Sequence, residues 1–215
     1  METLFITKQD WGNFLKGKIK ERRIYAPIEE NENLFLNPID ENNVENIAYN
    51  KFRTVEPLKI FLFPVVEKIV KEIENFDMPV LIGTTSCDLK GLEILDNVFA
   101  NGEYKDPNYK RRRENLLIIS TDCYQPSDTC FCEIVGTNPY PSKNFDINLS
   151  VTPEGFIVEI ATEKGNEFIS KDNRFFNATA QQIESRNVMR EKTTKRIKEI
   201  NEGFHLNNFQ EKIAS

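Results

Sequence analysis

The sequence predicts an α/β (or α+β) fold, a small mixed sheet flanked by helices with an appended antiparallel hairpin and a C-terminal helix. Three observations carry that expectation. Pro79-Val80-Leu81-Ile82-Gly83 and Asn115-Leu116-Leu117-Ile118-Ile119-Ser120 are short, continuous apolar runs with a helical pattern between them, as strands buried on both faces are. Residues 146–152 and 156–162 alternate apolar and polar about Pro153-Glu154-Gly155, as the arms of a half-buried hairpin do. Residues 178–203 are rich in Glu, Arg, Lys and Gln and keep only Ile183, Val188, Met189, Ile197 and Ile200 as an apolar stripe, which describes a helix thinly attached to the rest. The chain therefore divides into an α/β cysteine-containing domain, residues 1–170, and a C-terminal helical extension, residues 171–215.

The remaining elements follow in order. Residues 8–21 read as an amphipathic helix with Thr7 as N-cap, Asp10 in its first turn and Trp11, Phe14, Leu15 and Ile19 on one face. Two strand-like runs, residues 23–28 and 34–38, flank an acidic, asparagine-containing turn and form a hairpin. Residues 40–49 are polar and aperiodic, hence a surface loop. Residues 57–64 form an extended apolar run bracketed by prolines, leading into a helix over 65–76. Thr84-Thr85-Ser86-Cys87-Asp88 offers capping residues for a helix over 89–99. Phe168 and Ile169 suggest one more short strand.

Composition limits the function. At 215 residues the chain can bury a core without disulfides. With 28 Lys+Arg against 34 Asp+Glu its formal net charge is −6, which argues against a general nucleic-acid binder and favours protein or small-molecule partners. No window reaches the roughly 18 apolar residues of a membrane span, and the N-terminus has no basic stretch followed by a long apolar core. A cytoplasmic location is expected, where thiols serve more often as ligands or catalysts than as disulfides.

All four cysteines fall within one quarter of the chain: Cys87, Cys123, Cys130 and Cys132. Cys87 and Cys123 each follow a predicted buried strand, the edge at which open α/β sheets collect their sites. One shared metal centre is therefore one reading. A 4Fe–4S cluster would take three thiolates from the loop 123–132 and one from the helix start at Cys87, where the helix N-terminus favours a thiolate. Zinc is an equal alternative on spacing, although a single-residue gap between ligands is less typical of it. The bland reading is that Cys87 and Cys123 are buried small residues. A thiol switch through Cys130 and Cys132 ranks last.

Other groups offer less. Asp88 is first a helix cap and second a neighbour of the cysteine site. Lys110-Arg111-Arg112-Arg113 reads as a solvated helix face paired with Glu114, or more sharply as a docking surface for an acidic partner. His205 lies alone in a polar tail, so no Cys-His or Ser-His-Asp catalyst is expected, and Gly83 and Gly91 do not have dinucleotide-binding spacing.

Several short blocks come in a recognisable order: Pro57-Leu58-Lys59-Ile60-Phe61-Leu62-Phe63-Pro64 with Glu67; Gly83 with Cys87-Asp88-Leu89; Leu95-Asp96-Asn97-Val98-Phe99; Asp106-Pro107-Asn108-Tyr109 with Arg112-Arg113-Glu114; Cys123 with Thr129-Cys130-Phe131-Cys132 and Gly136-Thr137. Over roughly residues 50–160 the chain resembles the N-terminal part of the beta subunits of soluble nickel-iron hydrogenases (sulfhydrogenases) and of the related electron-transfer subunit of anaerobic sulfite reductase. The resemblance implies a non-catalytic, electron-transfer subunit of a redox complex. It implies partners that bind flavin and nicotinamide or that carry the catalytic centre, and it favours a 4Fe–4S cluster over zinc, with Cys87, Cys123, Cys130 and Cys132 as ligands. Asp88, Thr129 and Phe131 are then expected beside the sulfurs, tuning the cluster by hydrogen bonding and burial. Two departures stand out. Such subunits continue into a ferredoxin-like region with two Cys-x2-Cys-x2-Cys-x3-Cys runs, whereas no cysteine follows Cys132 here, so the sequence is expected to be a short form or one cut before that region. The family's basic residue shortly before Cys87 is replaced by Thr84-Thr85-Ser86. The rival from another class is a non-redox protein-docking module with a structural zinc or an empty cysteine site.

Overall fold

The computed structural model describes residues 2–63 and 79–203. The helix expected over 65–76 and the tail with His205 lie outside the described residues. Among the described residues, eight strands form one mixed sheet: β1 (Glu2–Thr7), β2 (Ile24–Glu30), β3 (Asn33–Pro38), β4 (Val80–Thr84), β5 (Leu117–Thr121), β6 (Ile147–Val151), β7 (Gly155–Ile160) and β8 (Phe176–Asn177), in the order β3-β2-β4-β5-β6-β7-β1-β8. The pairs β2/β4, β4/β5 and β5/β6 are parallel and the other four antiparallel. The mixed α/β class expected from the sequence is what the chain adopts, with the predicted hairpin β6–β7 continuing the same sheet.

The α-helices among the described residues are α1 (Lys8–Lys18), α2 (Ser86–Leu95), α3 (Pro107–Asn115), α4 (Glu163–Ile169) and α5 (Ala180–Ile200). Alternation along the central strands divides the interior into two apolar layers. Val80, Ile82, Leu117, Ile119, Ile147 and Leu149 face a core completed by Trp11, Phe14, Leu15 and Phe168. Leu81 and Ile118 face the opposite way, toward Leu89, Leu92 and Tyr109 of α2 and α3. Trp11 anchors α1 as expected, its ring close to Phe14 and Phe156 and its Nε1–H donating to the Tyr49 hydroxyl at 2.7 Å.

Four expectations are corrected. Residues 2–7, to which no element was assigned, form β1, whose alternating Leu4 and Ile6 enter the core. The run 57–64 is not extended: Leu58–Phe61 is a 3-10 turn burying Leu58, and Leu62 follows it into the core. Phe168 and Ile169 belong to helix α4, because the Thr162 hydroxyl accepts from the Gly165 N–H and caps a turn there. The loop 40–49 is partly packed: Val44 and Ile47 are buried and Tyr49 stacks edge-on against Phe156.

The basic run belongs to α3, capped by Asp106, whose carboxylate accepts from the N–H groups of Asn108 and Tyr109. It is not a continuous exposed patch. Arg112 is buried and donates to the Leu62 carbonyl, and Arg113 pairs with Asp96 at 3.2 Å. Both side chains therefore fasten α3 inward.

Candidate metal centre

Parallel pairing of β4 and β5 puts their C-terminal ends on one edge, and the cysteines follow from there. At Gly83 the register between the strands shifts and the backbone takes φ +85, while a Cβ at this position would meet the Pro27 ring at 2.6 Å. Glycine is thus required where β4 turns into α2. Thr85 caps α2 in a reciprocal arrangement with Asp88, and Cys87 sits in the helix's first turn. Cys123 stands two residues past β5. The connection from β5 to β6 carries no helix; a loop over residues 122–146 makes the parallel crossover and holds Cys123, Cys130 and Cys132.

Local hydrogen bonds give this loop its shape. The Cys123 N–H donates to the Pro139 carbonyl at 2.8 Å, and the N–H groups of Tyr124 and Gln125 donate to the Asn50 carbonyl. Ser127 N–H donates to the Cys130 sulfur at 3.2 Å, and Cys130 N–H returns to the Ser127 carbonyl at 3.0 Å. The Thr137 N–H and hydroxyl both donate to the Cys132 carbonyl, at 2.8 and 2.9 Å, and Gly136 turns the backbone at φ +74.

All four thiols line one cavity of about 480 Å³, together with Thr85, Asp88, Arg53, Thr129, Phe131 and Ile197 among others. None is in a disulfide; Cys123 is buried, Cys130 and Cys132 are half-buried and Cys87 is exposed. Burial first, then the charges of the other thiols, pushes Cys132 up to about 11 and Cys123 further. Cys87 is also raised, by the crowding of the cavity wall first and the Asp88 carboxylate second. Mutual repulsion of this kind requires the sulfurs to be near one another. Among the described residues, however, no three Cys, His, Asp or Glu side chains converge closely enough to bind a single metal ion.

Of the residues expected beside the sulfurs, Asp88 is largely committed to the α2 cap, and burial raises its carboxyl despite the Thr85 hydrogen bonds and the Arg53 charge. Thr129 bonds within the loop, hydroxyl to hydroxyl with Ser127 at 3.2 Å. Phe131 lines the cavity with about half its surface exposed. The hydroxyl that meets a sulfur is that of Thr85, 3.0 Å from Cys87 Sγ, which sequence reasoning named only as one of several caps.

Sequence reasoning also missed a buried ionic network beside Cys123. Asp122, with no exposed surface, accepts a two-pronged bond from Arg190 of α5 at 2.7 and 3.1 Å, and further bonds from Asn148 and the Tyr124 hydroxyl, each at 3.0 Å. Glu159 on β7 accepts from Arg190 at 2.6 Å and from Arg186 at 2.8 Å. Burial works against the Arg190 charge, but Asp122 and Glu159 more than offset it and hold the guanidinium protonated. The Arg190 guanidinium also lies 4.6 Å from the centre of the Tyr140 ring.

No protein-family model matches the chain. It is similar to the protein named sulfhydrogenase 2 subunit beta of Pyrococcus furiosus, with 30% identity over 191 residues, which take in 85% of this chain and 56% of the relative. The chain thus spans little more than half the length of the curated relative it matches. No helix among the described residues is long and apolar enough to cross a membrane.

Proposed function

We propose that this chain is an electron-transfer subunit of a multi-subunit redox complex, hydrogenase-like or sulfite-reductase-like, and that it holds one 4Fe–4S cluster through Cys87, Cys123, Cys130 and Cys132. The observation that carries the reading is the cavity: the chain's four cysteines, drawn from the start of α2, the end of β5 and the following loop, line one space at the edge of the parallel strands. The similarity to a sulfhydrogenase beta subunit supports a place in a redox complex. Its partners would be subunits that bind flavin and nicotinamide or that carry the catalytic centre.

The donor set suits a cluster better than one ion. A zinc site draws four sulfurs to about 2.3 Å from a common centre, whereas these thiols surround a cavity without three of them converging. A cluster offers each thiolate its own iron, so wider spacing is what it asks for. When bound, the cluster would supply a one-electron carrier. The protein supplies the surroundings. The N-terminal turn of α2 favours negative charge at Cys87. The Ser127 N–H at the Cys130 sulfur and the Thr85 hydroxyl at Cys87 offset sulfur charge and so favour the reduced state, while burial opposes added charge. Cys87, Cys123 and Cys132 hold their protons at neutral pH, so loading displaces them and is easier as pH rises.

The test is iron, sulfide and zinc content with a visible spectrum on protein purified without oxygen, beside Cys130→Ser. About four irons and four sulfides per chain, lost in the variant, are expected. Stoichiometric zinc would instead make the site structural and favour the docking module, and no metal in fresh anaerobic protein would overturn the reading.

A further inference from the structure

Helix α5 contributes no cysteine, yet it reaches the cysteine loop at both ends. At the near end, Arg190 grips Asp122, the residue immediately before Cys123, with two hydrogen bonds of 2.7 and 3.1 Å. At the far end, Asn201, the C-cap of α5, donates from Nδ2 to the Cys130 carbonyl at 3.1 Å and to the Ile197 carbonyl of its own helix at 2.7 Å. Between them, Ile197 is 1% exposed and forms part of the cavity wall, and Lys198 pairs with Glu133 at 3.2 Å. The span from position 190 to 201 is about 16 Å of helix, at 1.5 Å per residue. One rigid rod thus holds two points of an otherwise irregular loop at a fixed separation.

The rod has its own registration to the sheet. Arg186 and Arg190 meet Glu159 on β7, and Arg190 Nη2 also donates to the Ser150 hydroxyl on β6 at 3.2 Å. Because these contacts do not involve the cysteine loop, α5 can transmit the sheet's geometry to the loop.

We infer that α5 is the brace that sets the shape of the cysteine loop, with Arg190 and Asn201 as positioning residues for Cys123 and Cys130. Asn201 fixes the direction of the Cys130 peptide, and with it the path of the Cys130-Phe131-Cys132 turn. Arg190 holds the first residue of the loop, through Asp122, at the end of β5. The brace rests on the cluster reading only where a bound cluster is used as the probe.

The experiment uses the full chain with Asn201→Ala and Asn201→Asp, the second nearly isosteric but unable to donate from the replaced atom. In metal-free protein, amide hydrogen exchange over residues 123–136 is expected to rise roughly five- to tenfold in both variants, as loss of one holding bond permits, with the sheet and the middle of α5 unchanged. In anaerobically reconstituted protein the paramagnetic resonance line shape and reduction potential of the reduced cluster are expected to shift in both. Unchanged loop exchange overturns the brace whatever metal is bound. A rise spread equally over α5 and the sheet also overturns it, because Asn201 would then serve helix docking rather than the loop. Local loosening in a chain that never takes up iron upholds the brace and removes the cluster reading, so the two fail separately. Arg190→Lys, which keeps the charge but loses the two-pronged bond, gives the same test at the Cys123 end.

Discussion

At residue scale, Thr85 joins the helix start to the cysteine site. Its hydroxyl donates to Asp88 at 2.8 Å within the cap and lies 3.0 Å from Cys87 Sγ, a contact that lowers the thiol against the larger upward push of burial. Thr85→Val removes both. The expected result is a loss of about 0.5–2 kcal/mol of stability from the cap and a Cys87 whose alkylation at neutral pH slows roughly three- to tenfold in the metal-free chain. The sign follows from the cause: without the hydroxyl the thiolate is less favoured, and the rate profile moves to higher pH. Thr85→Ser should restore both, and an unchanged alkylation rate in Thr85→Val would show that the hydroxyl does not act on the sulfur. Sequence alone left Thr84, Thr85 and Ser86 equivalent as caps, since only the turn after Gly83 decides which hydroxyl faces the sulfur. The cysteines were legible because the chain has no others. Asp122 and Arg190 were not, because their meaning lies in a contact across 68 positions, and in sequence a charge on a polar helix reads as solvated.

At the scale of elements, legibility followed how strongly a segment's own pattern opposes alternatives. The apolar runs of β4 and β5 and the alternating arms of β6 and β7 can be little else, and they are strands. The short β1 was hidden because its alternation spans only six residues beside the helix cap at Thr7. Helix α5 was found, but its attachment differs from the apolar stripe expected. Val188 is about half exposed, and the buried residues are Arg186, Thr193 and Ile197, spaced 7 and 4 apart along one face. The β4–α2 junction is the element-level feature most open to test. Gly83→Ala forces a side chain into positive φ and against Pro27, with an expected loss of about 1–3 kcal/mol. Because the strain sits between β4 and Cys87, denaturant unfolding should report the loss while hydrogen exchange rises first at the start of α2. A variant as stable as the parent would mean that the backbone there accepts a side chain and that glycine serves no purpose at this turn.

On the scale of the whole molecule, two apolar layers and a polar seam under α5 are tied together by buried tyrosines, and these determine how the fold responds to alkali. Tyr49 joins the loop after β3 to Trp11 of α1, Tyr109 joins α3 to Asp96, and Tyr124 joins the cysteine loop to Asp122. Burial is the main cause in each case, with the Glu45, Asp96 and Asp122 carboxylates adding to it, and all three hydroxyls are held well above the ordinary tyrosine range. The folded state therefore prefers the neutral form. Stability from these groups is fully present below the unfolded value of about 10 and is lost as pH rises toward the higher folded values. For Tyr49 and Tyr124 the slope approaches about 1.4 kcal/mol per pH unit each. Since Trp11 and Asp122 lie in different layers, the loss should appear as one cooperative transition. The tyrosinate band, far-ultraviolet dichroism and Trp11 fluorescence should then change together above pH 10. Early tyrosinate formation with dichroism intact would show that these hydroxyls reach solvent in the folded chain and would undo this account of what joins the layers.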